Sequence, residues 1–195
     1  MPHLSRRFVL LSGAASSALT VAGCGGGSAP TTFDLSPAGA AKRYVGGPTI
    51  VVPEPTTIFA LDSERIVIRT SAGDLAYLSR AQWSDRLPRL FQARLIQTFE
   101  NQGRPAVGRP VDRLSSSYQL LIDIRSFEAR EANRDGYIEV AAKIVTTASG
   151  NVRKAQLFSA STPVAALDGS GVTAALDASL GKVLLDITAW TAAPG

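Results

Sequence analysis

The chain of 195 residues carries one thiol, Cys24, and one imidazole, His3. A His/Cys zinc set, a Ser-His-Asp triad, a Cys-His pair and histidine-ligated haem therefore cannot be assembled from the body of the chain. Glu128 and Glu131 lie close enough in sequence to be imagined as an acid/base pair, yet Arg130 and Arg134 beside them make a solvated hairpin loop the simpler explanation. No D-x-D-x-D-G calcium loop occurs. Gly25-Gly26-Gly27 and Gly169-Ser170-Gly171 match neither phosphate-binding glycine pattern and read as a linker and a helix start. No catalytic residue, cofactor site or metal site is expected, and the chain is not read as an enzyme.

The lone thiol has a different chemistry open to it. Residues 1–23 follow the three-part pattern of a signal peptide: a positive start with Arg6 and Arg7, an apolar stretch from Phe8 to Ala22, and small residues before Cys24. That stretch is shorter than the roughly 20 residues a membrane-spanning helix needs. Val21-Ala22-Gly23-Cys24 resembles a bacterial lipobox, in which the Cys thiol takes a diacylglyceryl group, cleavage falls before it, and the new amine is acylated with a fatty acid such as palmitate. Buried acyl chains contribute about 0.8 kcal/mol per CH₂, so a multiply acylated Cys24 anchors the protein stably to a membrane. Gly rather than Asp at position 25 points to the outer membrane over the inner. Ser5-Arg6-Arg7-Phe8-Val9-Leu10 also resembles a twin-arginine motif, and the general secretory and twin-arginine routes both remain open.

Beyond the anchor, residues 24–41 are rich in Gly, Ala, Ser and Pro and read as a lipidated flexible tether. An extended piece around Phe33-Asp34-Leu35, added to a sheet, is the alternative for part of it. Net charge is +4, from 20 Lys and Arg against 16 Asp and Glu, and no basic block occurs. That is poor material for a nucleic-acid footprint, and no nucleic-acid partner is expected.

The folded body is assigned to residues 42–195. Thr49–Val52 and Arg65–Arg69 are β-branched strands, and Leu75–Leu78 is a short extended piece after the Gly73-Asp74 turn. From Ser84 to Gln102 the residues Leu87, Leu90, Phe91, Leu95 and Phe99 recur at helical spacing; Asp85 is the expected N-cap, and Gly103 and Pro105 end the segment. Three strands follow as an antiparallel meander: Tyr118–Arg125, a second around Ile138–Ile144, and Arg153–Ser161. In the first, residues 118, 120, 122 and 124 make the apolar face, with Leu121, Asp123, Arg125 and Phe127 opposite. Asp135-Gly136 is placed in the first hairpin loop. Val172, Leu176, Leu180, Val183, Ile187 and Trp190 make a second amphipathic helix, capped by Ser170. The fold class is α/β (α+β): a two-layer sandwich of a mostly antiparallel sheet with two amphipathic helices on one face.

One apolar segment falls outside these periods. Thr56-Thr57-Ile58-Phe59-Ala60-Leu61 follows Pro53-Glu54-Pro55 and reads either as a loop folded on the core or as a docking edge for a partner or lipid. Ile58, Phe59 and Leu61 are the candidate partner contacts.

The order of these features resembles the ABC-type transport auxiliary lipoproteins (PqiC-like). The likeness is carried by Val21–Cys24, Leu61–Arg69, Tyr77–Pro88, Tyr118–Glu128 and the segment from Ala174 through Ile187 to Trp190. The long run from Ala38 to Pro55 departs from the pattern. The resemblance implies that residues 42–195 form an ABC-transport auxiliary domain. It further implies a periplasmic, lipid-anchored subunit beside an MCE-domain protein and ABC transporter subunits, moving lipids or other hydrophobic cargo as a non-catalytic adaptor. A stand-alone lipid- or glycan-binding lipoprotein in outer-membrane assembly is the alternative.

Overall fold

The computed structural model describes residues 29–39 and 47–192. Its spine is the long strand β7 (Tyr118–Arg130), which runs antiparallel to β8 (Asp135–Thr146), itself antiparallel to β9 (Val152–Pro163). On its other side β7 receives three short parallel strands in succession: β2 (Ile50–Val51), β3 (Thr56–Thr57) and β4 (Arg65–Arg69). Antiparallel β5 (Leu75–Trp83) extends the sheet beyond β4, β1 (Thr31–Phe33) lies parallel to β5, and β6 (Val107–Gly108) lies parallel to β2. The long strands make the sheet mostly antiparallel, with parallel pairing confined to the short ones.

Two helices cover one face. Helix α1 (Leu87–Asn101) buries Leu87, Leu90, Phe91, Leu95 and Phe99, and α2 (Gly169–Ala192) buries Val172, Leu176, Leu180, Val183 and Ile187. They meet Leu120, Ile122, Ile124, Ile138, Val140 and Ala142 of the sheet in one apolar core. This is the mixed two-layer architecture that the alternating periods imply. No helix among the described residues is long and apolar enough to cross a membrane.

A bulge decides how β7 meets that core. Ile124 pairs with Val140 and Ser126 with Glu139, so Arg125 is the extra residue. An inserted residue reverses the side-chain alternation. Upstream, the even residues face the core; downstream it is Phe127 and Ala129, both buried. Phe127 therefore lies in the core, with its ring 5.9 Å from that of Trp83 in an edge-to-face pair, and not on the opposite face that strict alternation assigns it. Glu128 lies within the strand rather than in a solvated loop.

Three local signals resolve differently from their sequence reading. The N-cap of α1 is Arg86, with no side-chain cap hydrogen bond, while the Asp85 carboxylate accepts the Arg86 N–H, at 2.7 Å. At α2 it is Asp168 that caps, accepting from the Gly171 N–H at 2.8 Å and the Ser170 hydroxyl at 2.9 Å. Asp135 and Gly136 lie inside β8, and the hairpin turn is made by Glu131–Arg134 with Arg134 at φ 52°. Gly136 is small because α2 crosses it: a Cβ there would lie 2.9 Å from the Leu176 nitrogen.

Thr31–Phe33, inside the stretch expected as tether, are strand β1, and the chain stays on the body beyond them. Leu35 and Ala38 are buried, the Ser36 N–H donates to Asp177 at 2.7 Å, and the Ala38 N–H donates to Thr98 Oγ1 at 3.0 Å. The alternative of an added extended strand describes residues 31–33, so folded structure begins upstream of the expected boundary at 42. Apolar side chains at 33, 35 and 38, though too few for a periodic signal, suffice to hold the segment down.

Candidate functional site

Between β3 and β4 the chain leaves the edge of β7 and makes a tight turn. Leu61 N–H and Asp62 N–H both donate back to the Ile58 carbonyl, at 3.0 and 3.2 Å. The turn displays Phe59, which is 93% exposed, and Ile58, which is 52% exposed. Leu61 is 3% exposed; its side chain sits in the core and anchors the turn from below. Of the three residues singled out as contacts, Ile58 and Phe59 are available to a partner and Leu61 is not. The turn sends Phe59 outward and Leu61 inward, whereas an extended edge would put these two residues, two apart, on one face.

Both feet of the turn are fixed. Upstream, the Thr57 hydroxyl donates to the Ile124 carbonyl at 2.7 Å, and the Thr56 hydroxyl to Asp123 at 3.2 Å. Downstream, the Leu87 N–H donates to the Ser63 carbonyl at 3.1 Å, tying the turn to the start of α1. Arg86 then closes the arrangement. It bonds the Asp62 carboxylate, and its other nitrogen donates to Glu54 at 3.1 Å. The hydrogen bond that Arg86 donates to Asp62 is the main reason the Arg86 pKa is raised above its ordinary value.

Glu54, Asp62 and Arg86 were not brought together by sequence reasoning, because 24 and 32 residues separate them. A signal was present. Arg86 and Arg89 stand at the start of α1, whose first turn holds no acid, and the positive end of a helix macrodipole disfavours cations there. Such residues call for carboxylates from elsewhere, and Glu54 and Asp62 supply them.

Glu54 also forms a ridge between two shallow grooves. One, of about 360 Å³, runs over the outer sheet face between Pro53, Thr56, Leu121, Asp123, Arg125, Ala141 and Lys143. The other, of about 480 Å³, lies between α1 and the segment Arg109–Val111, where Val111 is 78% exposed. Glu128 and Glu131 have separate partners. Glu128 is buried and bidentate with Arg69, at 2.7 and 2.9 Å, while Glu131 accepts the Ser71 N–H at 3.1 Å. Among the described residues no three His, Cys, Asp or Glu side chains gather around a common point. Cys24 and the signal peptide lie outside the described residues.

The family model for the ABC-type transport auxiliary lipoprotein component matches residues 33–188. A protein of Bradyrhizobium diazoefficiens is 32% identical over 174 residues, a match covering 85% of this chain and 47% of the relative, so the chain spans about half of that protein's length. A crystal structure from Xanthomonas campestris, described under the label DUF330, is 26% identical. It superposes with a TM-score of 0.72, covering 83% of this chain and 94% of that one. A second solved structure, 12% identical, shares the fold with a TM-score of 0.66 over 84% of this chain and 99% of its own.

Proposed function

Since the chain belongs to the family of ABC-type transport auxiliary lipoprotein components, we propose that it is a periplasmic adaptor, anchored through acylated Cys24, that docks an MCE-domain protein of a lipid-transporting ABC system. It performs no chemistry of its own in this reading. The outer membrane is its seat, as Gly25 suggests. The observation that carries the docking role is the braced turn: Phe59 is held in water at 93% exposure by side chains on both sides of it.

The energetics favour this use. Leaving a Phe in water forgoes roughly 1.5–3 kcal/mol that burial would give, and an ordered turn gains nothing internally from presenting it. An aromatic side chain with few rotamers, held in one place, loses little entropy when a partner covers it. Buried aromatic anchors of this sort carry a large share of binding energy at protein interfaces. The flanking grooves, with Lys143, Arg125, Asp123 and Arg89 at their margins, offer the polar rim such an anchor needs.

The test is capture of the MCE-domain protein by the full-length lipoprotein carrying I58S and F59S together. Loss of capture with an unchanged melting profile is the expected result. Undiminished capture by a folded double variant removes the turn from the interface, and capture of no transport subunit by the unaltered protein ends the adaptor reading.

A further inference from the structure

We infer that the end of the sheet where β1 enters the fold, carrying Leu75, Arg80 and Leu167, is the face that rests on the phospholipid bilayer. The inference rests on the reading of Cys24 as acylated and adds to it an orientation for the whole domain.

The register of the sheet defines that end. Leu75 pairs with Arg69, Arg69 with Arg130, Arg130 with Asp135, and Asp135 with Pro163. This row crosses the molecule just below the Gly73 and Glu131–Arg134 turns. Strand β1 is parallel to β5, with Thr31 opposite Ala81 and Phe33 opposite Trp83. Followed backwards from Thr31, the line of the strand points toward the Leu75 end.

Chain length sets the rest. Five residue steps separate Cys24 from Ala29, where the described chain begins, and at roughly 3.6 Å per step they span at most about 18 Å. The opposite end of the sheet, at Tyr118, lies eight residues along β7 from Ser126, the level of β1, because Gln82 pairs with Arg65 and the Val67–Glu128 register carried back two residues sets Arg65 beside Ser126. Eight strand residues cover about 26 Å. An acyl group on Cys24 therefore cannot reach past the Tyr118 end, but it can reach the Leu75 end without turning back.

The surface found there suits a headgroup layer. Opposite the single β4 residue Ile66, β5 places Leu78, Ser79, Arg80 and Ala81, a wide bulge in which Arg80 adopts φ 55°. The bulge and the Leu167 loop form the walls of an open groove of about 410 Å³ that Thr31 and Phe33 floor. Leu75 and Leu167 are each 42% exposed, and the exposed Arg80 lines the same groove as Leu167, while Leu78 is half-buried against the core. Exposed leucines next to an arginine can bury their apolar parts at the acyl boundary while the guanidinium stays with phosphates.

The experiment uses the full-length lipoprotein, with acylation of Cys24 established by mass spectrometry, in vesicles of phosphatidylethanolamine and phosphatidylglycerol. Nitroxides are placed at Leu167→Cys or, at the far end, Val111→Cys. Loss of accessibility to a water-soluble nickel chelate at 167, with full accessibility at 111, is the expected result. Equal access at both positions on acylated protein, or protection at 111, overturns the orientation while leaving the anchor intact. A bare Cys24 sulfur overturns both. A Cys24→Ser chain without vesicles must regain access at 167; protection that persists there means a second protein copy covers the site, and it overturns the assignment to lipid.

Discussion

The two edges of β7 are built in opposite ways. Along one edge β8 runs beside it from Tyr118 to Arg130, interrupted only by the Arg125 bulge. Along the other, β2, β3 and β4 each pair for two or three residues and then leave. A continuous ladder satisfies every backbone group that faces it and leaves the chain nowhere to go. An interrupted ladder forces the backbone out at each gap, and those excursions must be held by side chains instead. The Pro53-Glu54 ridge occupies the first gap and the Phe59 turn the second. The same strand thus carries a structural edge and an edge that presents features to solvent.

Mutations should separate the two roles by their effect on stability. Phe127 belongs to the structural side, since the bulge turns it into the core against Trp83. Replacing it with Ala should cost roughly 3–5 kcal/mol, visible as a large drop in the urea midpoint at unchanged m-value. A cost near zero would mean that the alternation across the bulge is not reversed. Next in size is Arg69, at the top of the interrupted edge. Its bidentate bond is the main cause of its raised pKa, and its partner Glu128 is buried while Arg69 itself is 43% exposed in its side chain. Arg69→Ala leaves Glu128 without its cation and should cost about 1–3 kcal/mol, whereas Glu128→Gln should cost less because no buried charge is left behind.

The same contrast explains what could be read from the sequence. The meander announces itself because β7, β8 and β9 are long enough to show period-two alternation, and α1 and α2 because their stripes repeat over several turns. Strands β1, β2, β3 and β6 are two or three residues long, too short for any period to register. Among them Ile50 and Val51 stand out through β-branching, and β1 only as the alternative of an extended piece around Phe33. Parallel pairing onto β7 adds a further obstacle, since it joins segments more than 60 residues apart without a hairpin signal. Phe59 stands out in the sequence because its segment fits neither period. Its bracing by Arg86, Asp62 and Glu54 depends on tertiary proximity that no local pattern encodes.

Strand β1 offers a smaller, pH-dependent effect. Partial burial alone would raise the pKa of Asp34, but hydrogen bonds from Arg94, the Leu35 N–H and Ser84, with the Arg94 charge, outweigh it and lower the pKa below its ordinary 3.8. A carboxylate with a depressed folded-state pKa contributes stability above its unfolded value and loses it as pH falls through the folded value. The Asp34 side chain is 56% exposed, so the contribution is expected to stay within about 1 kcal/mol. Amide exchange at Leu35 and Ala38, taken relative to the intrinsic rate at each pH, should therefore accelerate below about pH 4 before the β7–β8 ladder opens. Asp34→Asn should bring that acceleration to neutral pH. Simultaneous opening of both regions would show that β1 is as integral as the meander.

The least effect on stability is expected at Phe59, and there the smallness itself carries the argument. A side chain 93% exposed gives up almost no buried area on truncation, so Phe59→Ser should shift the unfolding free energy by no more than about 0.5 kcal/mol. The brace makes this a sharp expectation, because Leu61, Thr57 and Arg86 hold the turn whatever residue stands at 59. A loss of 2 kcal/mol or more would place the ring against protein in solution and make it part of the fold. A stable variant that no longer retains the MCE-domain protein would instead locate the cost of Phe59 where the interrupted edge meets another molecule.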